Sequence, residues 1–93
     1  MITRQFLQTT PHAPGVYLMI GKRSEVLYVG KAKDLHKRLS SYARVDESSH
    51  SKTAVMVRQL TKVDLLITNT EKEALSLESS LIKKHAPSIT LSS

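Results

Sequence analysis

Five side chains in this sequence have the types needed to work on a negatively charged substrate: Tyr17, Tyr28, Lys31, Arg38 and Glu78. A phenol titrates near ~10 in water, so it orients or accepts a proton from water only where something favours its ionised form. A guanidinium and an ammonium neutralise phosphate oxygens, the guanidinium with two parallel hydrogen bonds. Glu78 is the residue that fits its surroundings least. Ala74, Leu75, Leu81 and Ile82 recur around it at helical spacing, which sets the carboxylate in the middle of an apolar stripe. Taking a carboxylate out of water costs on the order of several kcal/mol unless it is paired. The pattern therefore calls either for an ion pair with a lysine or arginine, or for a hard divalent cation. A single carboxylate completed by water suits magnesium beside a phosphate.

The elements that must position these residues follow from propensity and punctuation. Val16 to Ile20 and Glu25 to Val29 have strand character, and Gly21-Lys22-Arg23-Ser24 between them predicts an antiparallel hairpin. Pairing Ile20 with Glu25 sets Tyr17 directly opposite Tyr28, with both phenols on one face. Gly30 then ends the second strand. Asp34 is a suitable N-cap for a helix whose apolar stripe is Leu35, Leu39 and Tyr42. On that helix Arg38 lies beside the stripe and leans toward the sheet, while Lys37 faces solvent. Arg44 to Ser51 reads as a loop, and a second helix is expected from about Lys52 to Lys62, burying Met56, Leu60 and Val63. Asp64 to Thr68 is the third strand. Thr70-Glu71-Lys72-Glu73 is a capping-box pattern that opens a last helix running to about Lys84, before Pro87.

Length and composition limit what such a site can be. A chain of 93 residues holds one core, so residues 1–93 are expected to form a single domain with its body at about 11–87. The absence of cysteine excludes a disulfide framework and thiolate-held zinc, and suggests a reducing, cytoplasmic compartment. No apolar run approaches the ~20 residues that span a bilayer, so no membrane is expected. The formal net charge is +6, and it is concentrated: Lys22, Arg23, Lys31, Lys33, Lys37, Arg38 and Arg44 face only Glu25 and Asp34 within that stretch. Clustered positive charge favours a polyanion such as nucleic acid, or else is a solvated helix face. The histidines lack the spacing of a zinc helix, and the glycines match no phosphate-loop pattern.

The ordered set Gly15-Val16-Tyr17, Tyr28-Val29-Gly30, Arg38 and Glu78 resembles the GIY-YIG endonuclease family, and within it the amino-terminal nuclease domain of the UvrC-like excinucleases. The likeness extends from about Pro11 to Pro87 through "PGVYLM", "VLYVGKAKDLHKRLSSY" and "TEKEALSLESSLIKKHAP". It implies an α+β fold, a three-stranded antiparallel sheet flanked by about three helices, and hydrolysis of DNA phosphodiester bonds with one Mg2+ or Mn2+ ion. It also implies roles. Tyr17 and Tyr28 would orient or deprotonate the attacking water, with the choice of base open. Lys31 would lower the effective pKa of a phenol or water, Arg38 would contact the scissile phosphate, and Glu78 would hold the metal. Gly15 and Gly30 are the motif glycines, Gly30 letting the backbone turn into the site. Lys33, Lys37 and Arg44 are expected to touch the DNA backbone without sequence preference.

The sequence departs from the family at two places. Thr90 stands where the family carries an asparagine after the last helix, and Ser80 where asparagine is usual within it. The resemblance further implies partners: DNA, and a repair or targeting protein or an additional domain. A catalytically weak DNA-binding module, or an interaction domain in which Glu78 anchors Arg38 or Lys31, are the competing expectations.

Overall fold

The computed structural model describes residues 2–89 and 91. The chain runs α1 (Arg4–Thr9), β1 (Gly15–Ile20), β2 (Val26–Ala32), α2 (Leu35–Ala43), α3 (Lys52–Gln59), β3 (Lys62–Ile67) and α4 (Glu71–His85). The expected α+β architecture is present: a three-stranded sheet of order β2-β1-β3, antiparallel throughout, with helices on both faces. β1 is central, and its six residues are all buried, as a strand covered on both faces requires.

The alternation of β1 divides the core. Tyr17 and Met19 point to the α2 and α3 side, where they meet Leu35, Leu39, Tyr42 and Met56. Val16, Leu18 and Ile20 point the other way and pack with Val29 and Ala74. Burying side chains of this size contributes roughly 1.5–3 kcal/mol each. α1, which precedes the expected body at about 11–87, is capped by Thr3 and lays Phe6 and Leu7 against the first cluster.

Three boundaries differ from the sequence expectations. β2 does not stop before Gly30 but continues to Ala32, because Gly30, Lys31 and Ala32 pair with Tyr17, Val16 and Gly15. The pairing register is also shifted. Tyr28 lies opposite Met19 and Tyr17 opposite Gly30, with an irregularity between Met19 and Ile20 that leaves Leu27 without a β1 partner. The hairpin loop supplies the reason: Lys22–Ser24 winds into a 3-10 turn with Arg23 and Ser24 in the left-handed region, so Ile20 pairs with Val26 and not Glu25. α3 ends at Gln59, where Leu60 turns extended and the Thr61 amide donates to Ile20 O at 2.8 Å, which starts β3 at Lys62.

The start of α2 is tied down from several directions. Asp34 accepts from the Lys37 amide at 3.0 Å, and that bond, followed by the one from His12, holds its carboxyl below the usual aspartate range. The His12 ring stacks on His36 with centroids 4.2 Å apart, and His36 Nδ1 lies 2.9 Å from Thr10 O. Leu35 and His36 amides donate to Ala13 and Pro11 carbonyls. Gly15 completes the junction. A Cβ there would overlap Leu66 O and stand 2.8 Å from Leu35 Cδ1, so glycine is what lets β1, β3 and α2 meet. Gly15→Ala is expected to destabilise the protein by roughly 1–3 kcal/mol, the scale of overpacking, with an unchanged m value in urea unfolding.

Candidate active site

The site begins below the surface, with Tyr17. Its side chain is fully buried, and its ring fills the space above Gly30. A Cβ on Gly30 would overlap the Tyr17 phenol and approach Tyr28 Cε2 to 2.8 Å. Gly30 is thus required by close approach and not by a turn, since no glycine of the described residues has positive φ. Tyr17 and Tyr28 are diagonal neighbours, not an opposed pair. Their ring centroids still lie 6.0 Å apart, because residues displaced by two along a strand keep the same face.

A third tyrosine completes the cluster. Tyr42 Oη lies 2.9 Å from Tyr17 Oη in a buried hydrogen bond, and the two rings meet edge to face at 5.7 Å. The sequence reading placed Tyr42 only in the packing stripe of α2. Its spacing of one helical turn from Arg38, in a chain with three tyrosines in all, was the available signal.

Burial pushes the Tyr17 phenol far above its ordinary value, with the Tyr42 hydroxyl adding to the rise and Arg38 opposing it. Tyr28, half-buried, is raised first by burial and then by Tyr42, with Glu78 adding to this, while the Tyr17 hydroxyl and Arg38 act against it. Both phenols are therefore protonated at neutral pH in this arrangement. Arg38 and Glu78 are both close enough to act on Tyr28, in opposite directions.

That cleft has a volume of about 540 Å³ and opens along the outer edge of β2. Tyr28, Lys31, Arg38 and Glu78 line it together, coming from β2, α2 and α4. Glu78 is half-buried but does not sit in the middle of a core stripe, as the spacing had suggested. α4 packs on the sheet through Ala74, Leu77 and Leu81, whereas Leu75 and Ile82 are 51% and 42% exposed. The small Cβ of Ala74 brings that side of the helix to the sheet, and Glu78 is left at the rim facing the cleft. Among the described residues it forms no ion pair; the two that exist are His12–Asp34 and Lys62–Asp64.

The remaining expected residues fall in three places. Lys33 and Lys37 border an adjoining depression that shares Arg38 with the cleft. Arg44 caps the far end of α2 and is exposed. Gly15 belongs to the strand junction described above. Thr90 lies outside the described residues. No group of three or more His, Cys, Asp or Glu side chains that could hold a metal exists among the described residues. No helix among them is long and apolar enough to cross a membrane.

Comparison with known proteins places this chain among relatives. A family model described as a UvrC-like GIY-YIG domain matches residues 13–90. UvrABC system protein C of Desulfotalea psychrophila is 59% identical over 87 residues, which is 94% of this chain and 14% of that protein. The corresponding protein of Idiomarina loihiensis is 52% identical over 82 residues, 88% of this chain and 13% of its own length. The chain thus spans about 14% of the length of the curated relatives it matches. Among solved structures, the GIY-YIG N-terminal endonuclease domain of UvrC from Thermotoga maritima, bound to magnesium as its catalytic divalent cation, superposes with a TM-score of 0.80. It is 31% identical over 95% of this chain and 94% of that one. Point mutants of the same domain, one with an asparagine replaced by alanine, match equally well, with TM-scores of 0.80 and 0.81.

The buried phenol has a measurable signature. A group whose folded pKa is raised contributes stability that is complete below its unfolded pKa and is lost as pH rises toward the folded one. Stability is therefore expected to hold up to about pH 9 and to fall above ~10, where unfolded tyrosine ionises. Tyr17→Phe is expected to flatten that alkaline fall, as read by urea midpoints across pH with phenolate absorbance followed alongside.

Proposed function

The chain belongs to the UvrC-like GIY-YIG family, and from that premise we propose that it is a divalent-metal-dependent endonuclease domain that hydrolyses DNA phosphodiester bonds in nucleotide-excision-type repair. The observation that carries the proposal is the convergence of Tyr28, Lys31, Arg38 and Glu78 on one cleft, with Tyr17 directly beneath. The magnesium in the Thermotoga domain supports the same reading.

The roles follow from where each group sits. Arg38 and Lys31 bind the nonbridging oxygens of the scissile phosphate, where charge accumulates in the transition state. Tyr28 is the phenol that reaches the cleft, so it orients the attacking water through its hydroxyl oxygen; acting as base, it gives its own proton to bulk water through the open cleft before it accepts that of the attacking water. Tyr17 is a positioning residue that holds Tyr28 from below and is itself held by Tyr42. Glu78 is the carboxylate that would hold one Mg2+ or Mn2+ ion; its half-burial, with no cationic partner among the described residues, fits a hard ion that keeps much of its water. When bound, such an ion supplies Lewis-acid stabilisation of the phosphate oxygens. Lys33 and Lys37 extend the cationic track beyond Arg38. DNA is then the partner of this face, and a repair protein or further domain would deliver it to damage.

A catalytically weak DNA-binding domain is the second reading, favoured by Thr90 at the position of the family asparagine. Metal-dependent nicking of plasmid and branched DNA separates the two. Glu78→Gln and Arg38→Ala are each expected to lower nicking by about 10²–10³-fold, the size of a lost transition-state contact. Cleavage that survives both substitutions would sink the assignment, and tight binding without any cleavage would favour the second reading. Lys33→Gln and Lys37→Gln are expected to weaken DNA binding evenly across sequences, each reducing the slope of log affinity against log salt by roughly 0.9.

A further inference from the structure

The cleft is lined by two chemically different groups of side chains. Tyr28, Lys31, Arg38 and Glu78 are the polar ones, and Ile82, Pro87 and Ile89 are aliphatic, Ile82 adjoining Glu78 on α4. A phosphate and an ion use only the first. At about 540 Å³ the space is within the range of sites that enclose a whole small molecule.

Ile82 lies one turn beyond Glu78 on the same face of α4 and is 42% exposed. It belongs to neither core cluster of the described residues. The rest of the wall is held in place by backbone bonds. Ala86 turns left-handed (φ 44, ψ 64) to end α4, and the Ser88 and Ile89 amides donate to Val26 O and Leu27 O at 3.3 and 2.8 Å, fixing this segment along the edge of β2. An aliphatic surface in the same cleft as two cations selects a ligand that is anionic at one end and apolar at the other.

We infer that Ile82, with Pro87 and Ile89, receives the base of an unstacked nucleotide adjoining the phosphate bound by Arg38; the inference rests on the nuclease reading above. Isoleucine and proline are among the residues that proteins press between base steps to part them. A base leaves the stack at least cost where it is already mismatched or single-stranded. The aliphatic wall makes the site a reader of strand distortion, favouring a substrate with an unpaired base beside the cleavage position over intact duplex.

The test uses binding and not cleavage, so it is independent of whether the nuclease reading holds. Methyl resonances of the intact protein are followed during titration with a single-stranded deoxyadenylate tetramer and with an abasic tetramer of equal phosphate count. The expected result is an upfield ring-current shift of the Ile82 and Ile89 methyls with the adenylate alone. Ile82→Ser is expected to weaken adenylate binding roughly fivefold and leave abasic binding unchanged, while Ile82→Leu restores it. Since Ile82 is exposed, the variants keep their fold, which thermal unfolding verifies. Equal binding and equal shifts with the abasic tetramer, no shift at Ile82, or an Ile82→Ser variant that binds adenylate normally would each overturn the inference. Loss of nicking in Glu78→Gln with these results negative would leave the nuclease reading standing and remove only the base contact.

Discussion

The placement of the Tyr17 ring over Gly30 is the constraint on which the rest of the site depends. It needs a central strand buried on both faces, a neighbouring strand with a residue lacking Cβ, and a helix that offers a hydroxyl partner. Each requirement binds a different element. β1 supplies the ring, β2 the space left by a missing Cβ and α2 the Tyr42 hydroxyl, so the edge of β2 and the Arg38 turn of α2 are fixed relative to one another. A buried phenol costs roughly 1–3 kcal/mol if left without a partner, and the Tyr17–Tyr42 bond removes that cost.

The charged groups follow the opposite logic. Lys31, Arg38 and Glu78 surround one cleft, yet the ion pairs of the described residues lie elsewhere, at His12–Asp34 and Lys62–Asp64. Left unpaired, the carboxylate and the guanidinium are each free for the cation and the phosphate of the proposed function. Precision below and openness above are thus two parts of one design: neutral aromatic packing sets distances, and the charges around the cleft stay unpaired.

Much of this was legible from the chain. The strand, capping and helical-spacing signals point to three strands and the helices carrying Arg38 and Glu78, because each rests on local rules: Asp34 and Thr70 cap as their side chains dictate, and Leu35, Leu39 and Tyr42 bury as their spacing dictates. The hairpin register was not legible. It turned on whether Arg23 and Ser24 would adopt left-handed backbone, which neither residue type prefers, and that choice moved Tyr28 from opposite Tyr17 to a diagonal position. The rim position of Glu78 was hidden for a similar reason. A helical wheel shows five apolar positions on α4 but not which of them the sheet will accept, and Ala74, not Leu75, faced it.

The sequence by itself determined the chemistry available: two motif tyrosines, a cation-rich turn and helix after the second strand, and a single carboxylate amid apolar residues. Those are matters of residue type and short-range spacing, where covalent geometry and local hydrogen bonding suffice. Only the tertiary structure decided that Tyr42 joins the tyrosine cluster, that Gly30 serves close approach and not a turn, and that Ile82, Pro87 and Ile89 line the same cleft as the cations. Each of these depends on surfaces that meet from distant parts of the chain, and packing fixes them through volumes and distances that no periodicity records.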